Sequence, residues 1–205
     1  MRINIIVAFC KNRGIGLNNR LCWSIKSDLI KFASLTRGEG KNAIIMGRNT
    51  YLSLPKKTSN SNSNNPDREH HSLYFRDNLI LSSTLDMDFE EERNGRIYYT
   101  KTFPGLSTLV EYCESRDYDN IWVIGGESIY RLFMDEKTTQ EVGSYSIAID
   151  EIHTTELYAD FCCDTFFPEI DTSRYKCIQK DLHNEKFWSY YGYKIYDKIY
   201  KRKQE

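Results

Sequence analysis

One aspartate stands on an apolar stripe near the start of the chain. In SIKSDLIKFASLTRG, from Ser24 to Gly38, steps of three, four and three put Ile25, Asp28, Phe32 and Leu35 on one face of a helix. A carboxylate in that company is costly to bury without a partner. As a first-turn residue it could simply cap the helix and favour its dipole. Facing a nonpolar cleft with a second polar group in reach, it could instead serve proton chemistry.

A second set of chemistry-bearing residues gathers where apolar runs stop. In IWVIGGESIY, Ile121 to Tyr130, a buried run meets Gly125-Gly126 and then a helical pattern. Paired glycines let a backbone approach a ligand closely, and the helix start offers unpaired N–H groups to a phosphate. A tight turn would use the same residues, and there is no G-x-G-x-x-G. A similar junction, Ile45-Met46-Gly47-Arg48-Asn49-Thr50, adds a cation and a hydroxyl. Leu81-Ser82-Ser83-Thr84 adds hydroxyls, and Tyr99-Thr100-Lys101-Thr102 another cation. No acidic residue occupies these four ends to hold a free ribose hydroxyl. Ligands of parallel sheets bind at the carboxyl ends of strands, and this chemistry suits a phosphorylated nicotinamide dinucleotide. Between the first apolar run and the Asp28 helix lies Gly14 to Trp23, with two glycines, two asparagines and the basic Arg20. It reads as a plain surface connection or as a lid that excludes water.

These residues need a scaffold, and the hydrophobic pattern supplies one. Short continuous apolar runs at Ile3–Phe9, Ala43–Met46, Asn78–Leu81, Ile97–Tyr99 and Ile121–Ile124 predict central strands covered on both faces. Helical stretches at Ser27–Thr36, Asn49–Leu54, Ser107–Ser115 and Glu127–Met134 alternate with them. Longer alternating segments at Ile147–Leu157 and Tyr190–Tyr200 predict antiparallel strands at a sheet edge. The expected fold is α/β: a single domain over 1–205 with a central mixed, mainly parallel sheet, an antiparallel C-terminal edge and flanking helices. Two polar segments, 56–71 and 135–144, read as surface insertions.

Composition narrows the function classes. Lys and Arg number 28 against 29 Asp and Glu. Near-balance argues against a broad nucleic-acid face or a polybasic membrane anchor. The longest apolar run, Ile5 to Cys10, falls far short of the roughly 20 residues needed to span a bilayer. Six cysteines without a C-x-x-C pair and four histidines without H-x₃-H predict reduced thiols and no metal site. The expectation is a soluble cytoplasmic monomer.

In order along the chain, five motifs resemble dihydrofolate reductase of the monofunctional, eukaryotic type. IIVAFCKNRGIGLNNRLCW is similar to the family's first strand and substrate-gating loop, and SDLIKF to its helix bearing the acid. IIMGRNTYLSLP resembles its M-G-[KR]-x-T-[WY] cofactor segment, IWVIGGESIY its Gly-Gly strand, and DTFFPEI, Asp164 to Ile170, a further hallmark. The resemblance implies NADPH-dependent reduction of dihydrofolate, with hydride delivered to C6 and a proton to N5, in support of one-carbon metabolism. It implies antifolate inhibitors as further ligands, no nucleic acid and no membrane. Asp28 and Thr155 would hold the pterin, with Leu21 and Trp23 completing the catalytic set. Ile6, Val7, Phe32, Ser53, Leu54, Leu73, Ile124 and Tyr130 would line the substrate slot, and Arg76 would clamp its glutamate carboxylate. Ala8, Gly14, Ile15, Gly16 and Leu17 would lie near the nicotinamide. Arg48, Leu81, Ser82, Ser83 and Lys101 would surround the 2′-phosphate. Asn49, Thr50, Gly125, Gly126, Glu127, Ser128 and Ile129 would take the pyrophosphate.

The chain departs from the family pattern in places. Cys22 precedes Trp23 where the family usually has proline, which should loosen the lid and bring a thiol near the nicotinamide. Ser83 stands where vertebrate members use an arginine, and Asp28 replaces glutamate at a spacing closer to bacterial members. Two rival readings stay open: a related pyrimidine or pterin reductase of the same fold, and a non-catalytic folate- or RNA-binding regulator.

Overall fold

The pleat of the first strand sorts the core into two layers. Strand β1 (Ile3–Cys10) sends Ile3, Ile5, Val7 and Phe9 to one side, against Leu109 and Val110 of helix α3 (Leu106–Glu114) and Ile129 and Phe133 of α4 (Glu127–Met134). Ile6 turns to the other side, where Ile44, Met46, Tyr51 and Trp122 pack with Phe32 and Leu35 of α1 (Lys26–Arg37). Helices therefore cover both faces, with α1 and the short α2 (Arg48–Ser53) opposite α3 and α4.

The computed structural model describes residues 1–56, 71–135, 142, 147–183 and 192–204. Most of the two polar segments expected as surface insertions lies outside the described residues, as do positions 190 and 191 of the expected last strand. The remaining strands are β2 (Gly14–Gly16), β3 (Asn42–Gly47), β4 (Asp77–Leu81), β5 (Asp88–Arg93), β6 (Arg96–Phe103), β7 (Asn120–Gly125), β8 (Ile149–Leu157), β9 (Thr165–Phe166), β10 (Tyr175–Leu182) and β11 (Ile195–Arg202). Nine form one sheet in the order β10-β11-β8-β1-β7-β3-β4-β6-β5, and β2 pairs with β9 apart from it. From β8 to β6 every neighbouring pair is parallel, while β5, β11 and β10 add antiparallel pairings.

The mixed, mainly parallel sheet is as expected, and two details differ. Ile149–Leu157 is not an edge strand: it lies parallel to β1 on one side and antiparallel to β11 on the other, and its last four residues are all buried. The far edge also carries an antiparallel strand, β5, with the acidic sequence DFEEER. Charges hid it from an apolar pattern because edge strands exclude extra partners by being charged. Its turn was legible. Asn94 and Gly95, with φ of 52° and 74°, make the two-residue left-handed connection that Asn-Gly favours.

Candidate active site

Asp28 does not cap its helix. The N-cap of α1 is Ile25, with no side-chain capping bond. The Asp28 carboxylate, 14% exposed, instead accepts a hydrogen bond of 2.5 Å from the Thr155 hydroxyl. Thr155 is buried on β8, where strand register sets it beside Ala8 of β1 and Asp197 of β11. One rung of three strands thus carries Ala8, Thr155 and Asp197 beneath the first turn of α1.

A charged cluster backs this pair. The Lys31 ammonium donates to Thr155 Oγ1 at 2.5 Å and to Asp197 Oδ1, and lies 3.8 Å from Asp28 Oδ1. His183 Nδ1 donates to Asp197 Oδ2 at 2.6 Å, and its Nε2 is 2.5 Å from Ser27 Oγ. Burial opposes ionisation of Asp197, but the Lys31 hydrogen bond and charge, with His183 behind them, hold its carboxyl below the usual range. Sequence reasoning missed Lys31, His183 and Asp197. Lys31 could have been noticed three residues after Asp28 on the same helix face. The other two join only through strand register.

Five of the expected slot residues share the α1 side of the sheet: Ile6, Phe32, Leu54, Leu73 and Ile124 pack in one cluster. Val7 and Tyr130 belong to the opposite layer. Val7 follows Ile6 on a pleated strand and so faces away from it. The Tyr130 hydroxyl donates to the Ile6 carbonyl at 2.9 Å, and burial first, then the Asp28 charge, raises its pKa. Ser53 is exposed at the end of α2 and donates to Thr50 O. Arg76, 3% exposed, donates to Thr36 Oγ1 at the end of α1 and to Tyr74 O. Burial, then the nearby Arg37, pushes its pKa down to about 10. Among the described residues no carboxylate pairs with it, so its guanidinium suits an incoming acid.

The two glycine junctions come together. A Cβ on Gly126 would sit 3.3 Å from Thr50 Oγ1, and one on Gly47 would sit 3.0 Å from Ile129. Neither α2 nor α4 has a side-chain cap, so two helix N-termini present backbone N–H groups side by side. Gly125 has φ of 106°, and a Cβ there would meet the Tyr130 ring at 2.8 Å, so glycine is required. Glu127 is already engaged, accepting from Phe166 N at 2.7 Å and from Arg131. Ser128 is exposed. Arg48, Asn49, Leu52 and Ser53 line a cleft of about 440 Å³ whose other wall is Asn18, Asn19 and Arg20 of the loop after β2.

The expected 2′-phosphate group is more dispersed. Ser82 Oγ accepts from Thr84 N and Leu85 N in its own turn, Ser83 is exposed and Leu81 packs on the α3 layer. Lys101 bonds Asp88, its cross-strand neighbour on β5. Lys101 lies within β6 and not past its end, and the acid that holds it comes from β5 and not from any of the four segments.

The loop from Gly14 to Trp23 is tied to the DTFFPEI segment. Asp164 N and Thr165 Oγ1 both donate to Gly16 O, Asn18 N donates to Asp164 Oδ2, and Phe167 N donates to Arg13 O. Gly14 is buried with Cys163 packed on it so closely that a Cβ would lie 2.4 Å from Sγ. Ile15 packs partly buried on the core, while Leu17 and Leu21 are exposed. Trp23 is buried beside Phe161, its indole N–H without a hydrogen-bond partner among the described residues. The Cys22 thiol turns toward the 162–163 segment, 3.8 Å from Cys163 Sγ and 3.4 Å from Cys162 O.

A paired carboxylate in the first turn of a helix, an apolar slot and two adjacent helix starts share one sheet. The family model described as dihydrofolate reductase matches residues 2–64 and 69–200. The chain belongs to the dihydrofolate reductase family. The dihydrofolate reductase of Heliothis virescens is 33% identical over 186 residues, covering 88% of this chain and 86% of that protein. That of Sus scrofa is 32% identical over 208 residues, covering 96% and 97%. Among solved structures, dihydrofolate reductase from Enterococcus faecalis complexed with NADP(H) and RAB-propyl superposes with a TM-score of 0.67 at 18% identity, covering 99% of this chain and 97% of that one. This family fold places the acid helix and the Gly-Gly junction on one sheet.

Proposed function

We propose that this chain reduces 7,8-dihydrofolate to 5,6,7,8-tetrahydrofolate with NADPH, and that the residues assembled above are its working parts. The dihydrofolate reductases of its family support the reaction, and the NADP(H) complex of the Enterococcus protein supports the cofactor. The single observation that carries the site is the Thr155–Asp28 hydrogen bond at the polar end of an apolar slot.

The cofactor's phosphates suit the uncapped starts of α2 and α4, with Thr50 and Gly126 face to face and Arg48 on the rim. When bound, NADPH supplies the hydride that reaches C6 of the pterin. The chain's own residues orient and enclose. Asp28, fixed by Thr155, receives the pterin 2-amino group and N3, the apolar slot holds the rings, and Arg76 takes the glutamate carboxylate. Asp28 faces the amino-pyrimidine end of the pterin, so it orients the ring, and a water admitted beside the Gly14–Trp23 loop delivers the proton to N5. The latch from DTFFPEI holds that loop over the site.

The remaining assignments follow. The chain works as one domain. Charged edge strands β5 and β10 support a monomer, six free thiols support a reducing cytoplasmic setting, and no helix among the described residues is long and apolar enough to cross a membrane. The tetrahydrofolate formed would feed one-carbon transfer, and antifolates would compete for the same slot.

NADPH absorbance followed with and without dihydrofolate tests the reaction. Oxidation that requires dihydrofolate supports it. Oxidation with a pyrimidine substrate alone favours the related reductase, and ligand binding without turnover favours a regulator. In the same assay Asp28→Asn should lower kcat/KM on the order of a hundredfold while NADPH affinity holds. Near-normal turnover would refute the role of Asp28.

A further inference from the structure

Lys31 contacts three oxygens that compete for it. It donates to Thr155 Oγ1 and to Asp197 Oδ1, and it stands 3.8 Å from Asp28 Oδ1. Thr155 has one hydroxyl proton and two carboxylates within reach, Asp28 at 2.5 Å and Asp197 at 3.0 Å. An ammonium can only donate, so its bond to Thr155 Oγ1 forces that single proton outward toward a carboxylate. Which carboxylate receives it depends on which one is already neutralised. With Lys31 and His183 both donating to Asp197, the less satisfied acceptor is Asp28.

We propose that Lys31, anchored by Asp197, is a positioning residue for the dihydrofolate site: it directs the Thr155 hydroxyl onto Asp28 and is itself kept from occupying Asp28. This rests on the reading of Asp28 as the pterin-binding acid. Without Lys31, Asp197 loses its main counter-charge and draws the Thr155 proton away. Without the charge on Asp197, Lys31 has only a short way to travel to Asp28, where it blocks the oxygens the pterin needs. The two groups therefore matter as a balanced pair. Removing both leaves Thr155 free to serve Asp28 again.

The experiment is a double-mutant cycle of Lys31→Met and Asp197→Asn, read as KM for dihydrofolate, kcat, NADPH affinity and thermal midpoint. Each single change should raise KM about tenfold, the scale of one hydrogen bond to a charged group, with NADPH affinity unchanged. The double variant should return to within about threefold of the parent, a sign reversal that additive structural damage does not produce. Singles with unchanged KM, or a double variant as poor as the product of the singles, overturn the proposal. If Lys31→Met yields no folded protein, the isosteric Asp197→Asn carries the test alone: a raised KM supports the proposal and an unchanged one overturns it. Asp28→Asn is the control. If it too leaves KM untouched, the reading of Asp28 fails and this proposal with it. If it destroys binding while the other variants behave as the parent, only this proposal fails.

Discussion

Thr155 Oγ1 donates to Asp28 Oδ1 across 127 residues of sequence, joining an interior strand to the first turn of a helix. The strand is fixed by two neighbours, β1 and β11, and the helix by its apolar face on the sheet. Neither partner can drift without disturbing a packed layer, so the carboxylate is presented in one orientation.

Thr155→Val keeps the shape of the side chain and removes the donor. The expected outcome is a rise of about tenfold in KM for dihydrofolate with little change in NADPH affinity, since a hydrogen bond to a charged group is lost. Steady-state kinetics beside a direct cofactor titration check it.

Arg76 is assigned to the far end of the substrate, which makes its loss separable from that of Asp28. Arg76→Leu should raise KM for dihydrofolate at least tenfold and leave a dihydropterin lacking the glutamate tail almost unaffected. Equal losses on both substrates would show that Arg76 acts through the fold, by way of Thr36 and Tyr74.

Lys101 is held by Asp88 on an exposed hairpin. If Lys101 serves the 2′-phosphate, Asp88→Asn should tighten NADPH by roughly two- to fivefold and leave NADH alone, the range expected for an exposed ion pair. Lys101→Met should weaken NADPH selectively. Cofactor titrations with both dinucleotides read the difference.

Acid should weaken the fold through Asp197. Burial disfavours its charge, yet Lys31 and His183 overcome this and depress its pKa in the folded chain. The unfolded chain then binds the proton first as pH drops. The stabilisation is complete above the ordinary aspartate value of about 3.9 and drains away as pH falls through the lower, folded value. Urea midpoints taken from pH 7 downward should fall less steeply below about pH 4 in Asp197→Asn than in the parent.

Much of this was legible in sequence because apolar continuity marks buried strands, and β1, β3, β4 and β7 all carry it. Asp28 stood out because a charge on an apolar stripe needs an explanation. Asp197 did not, because an aspartate between Tyr196 and Lys198 looks like any solvated position until β11 is set in register with β8. Lys101 was visible as a cation at a strand, but its partner lay on β5, whose charges mask it as a loop. The opposite facing of Ile6 and Val7 follows from the period of two and needed no coordinates.

The rung shared by Ala8, Thr155 and Asp197 has a consequence for anyone shortening or tagging the protein. Strand β11 follows β8 only after a long stretch of sequence, yet it pairs with β8 and carries Asp197 to the Thr155 hydroxyl. Removing it would leave β10 without its partner and expose β8 as a new edge, and it would take Asp197, the anchor of Lys31, from beside Thr155.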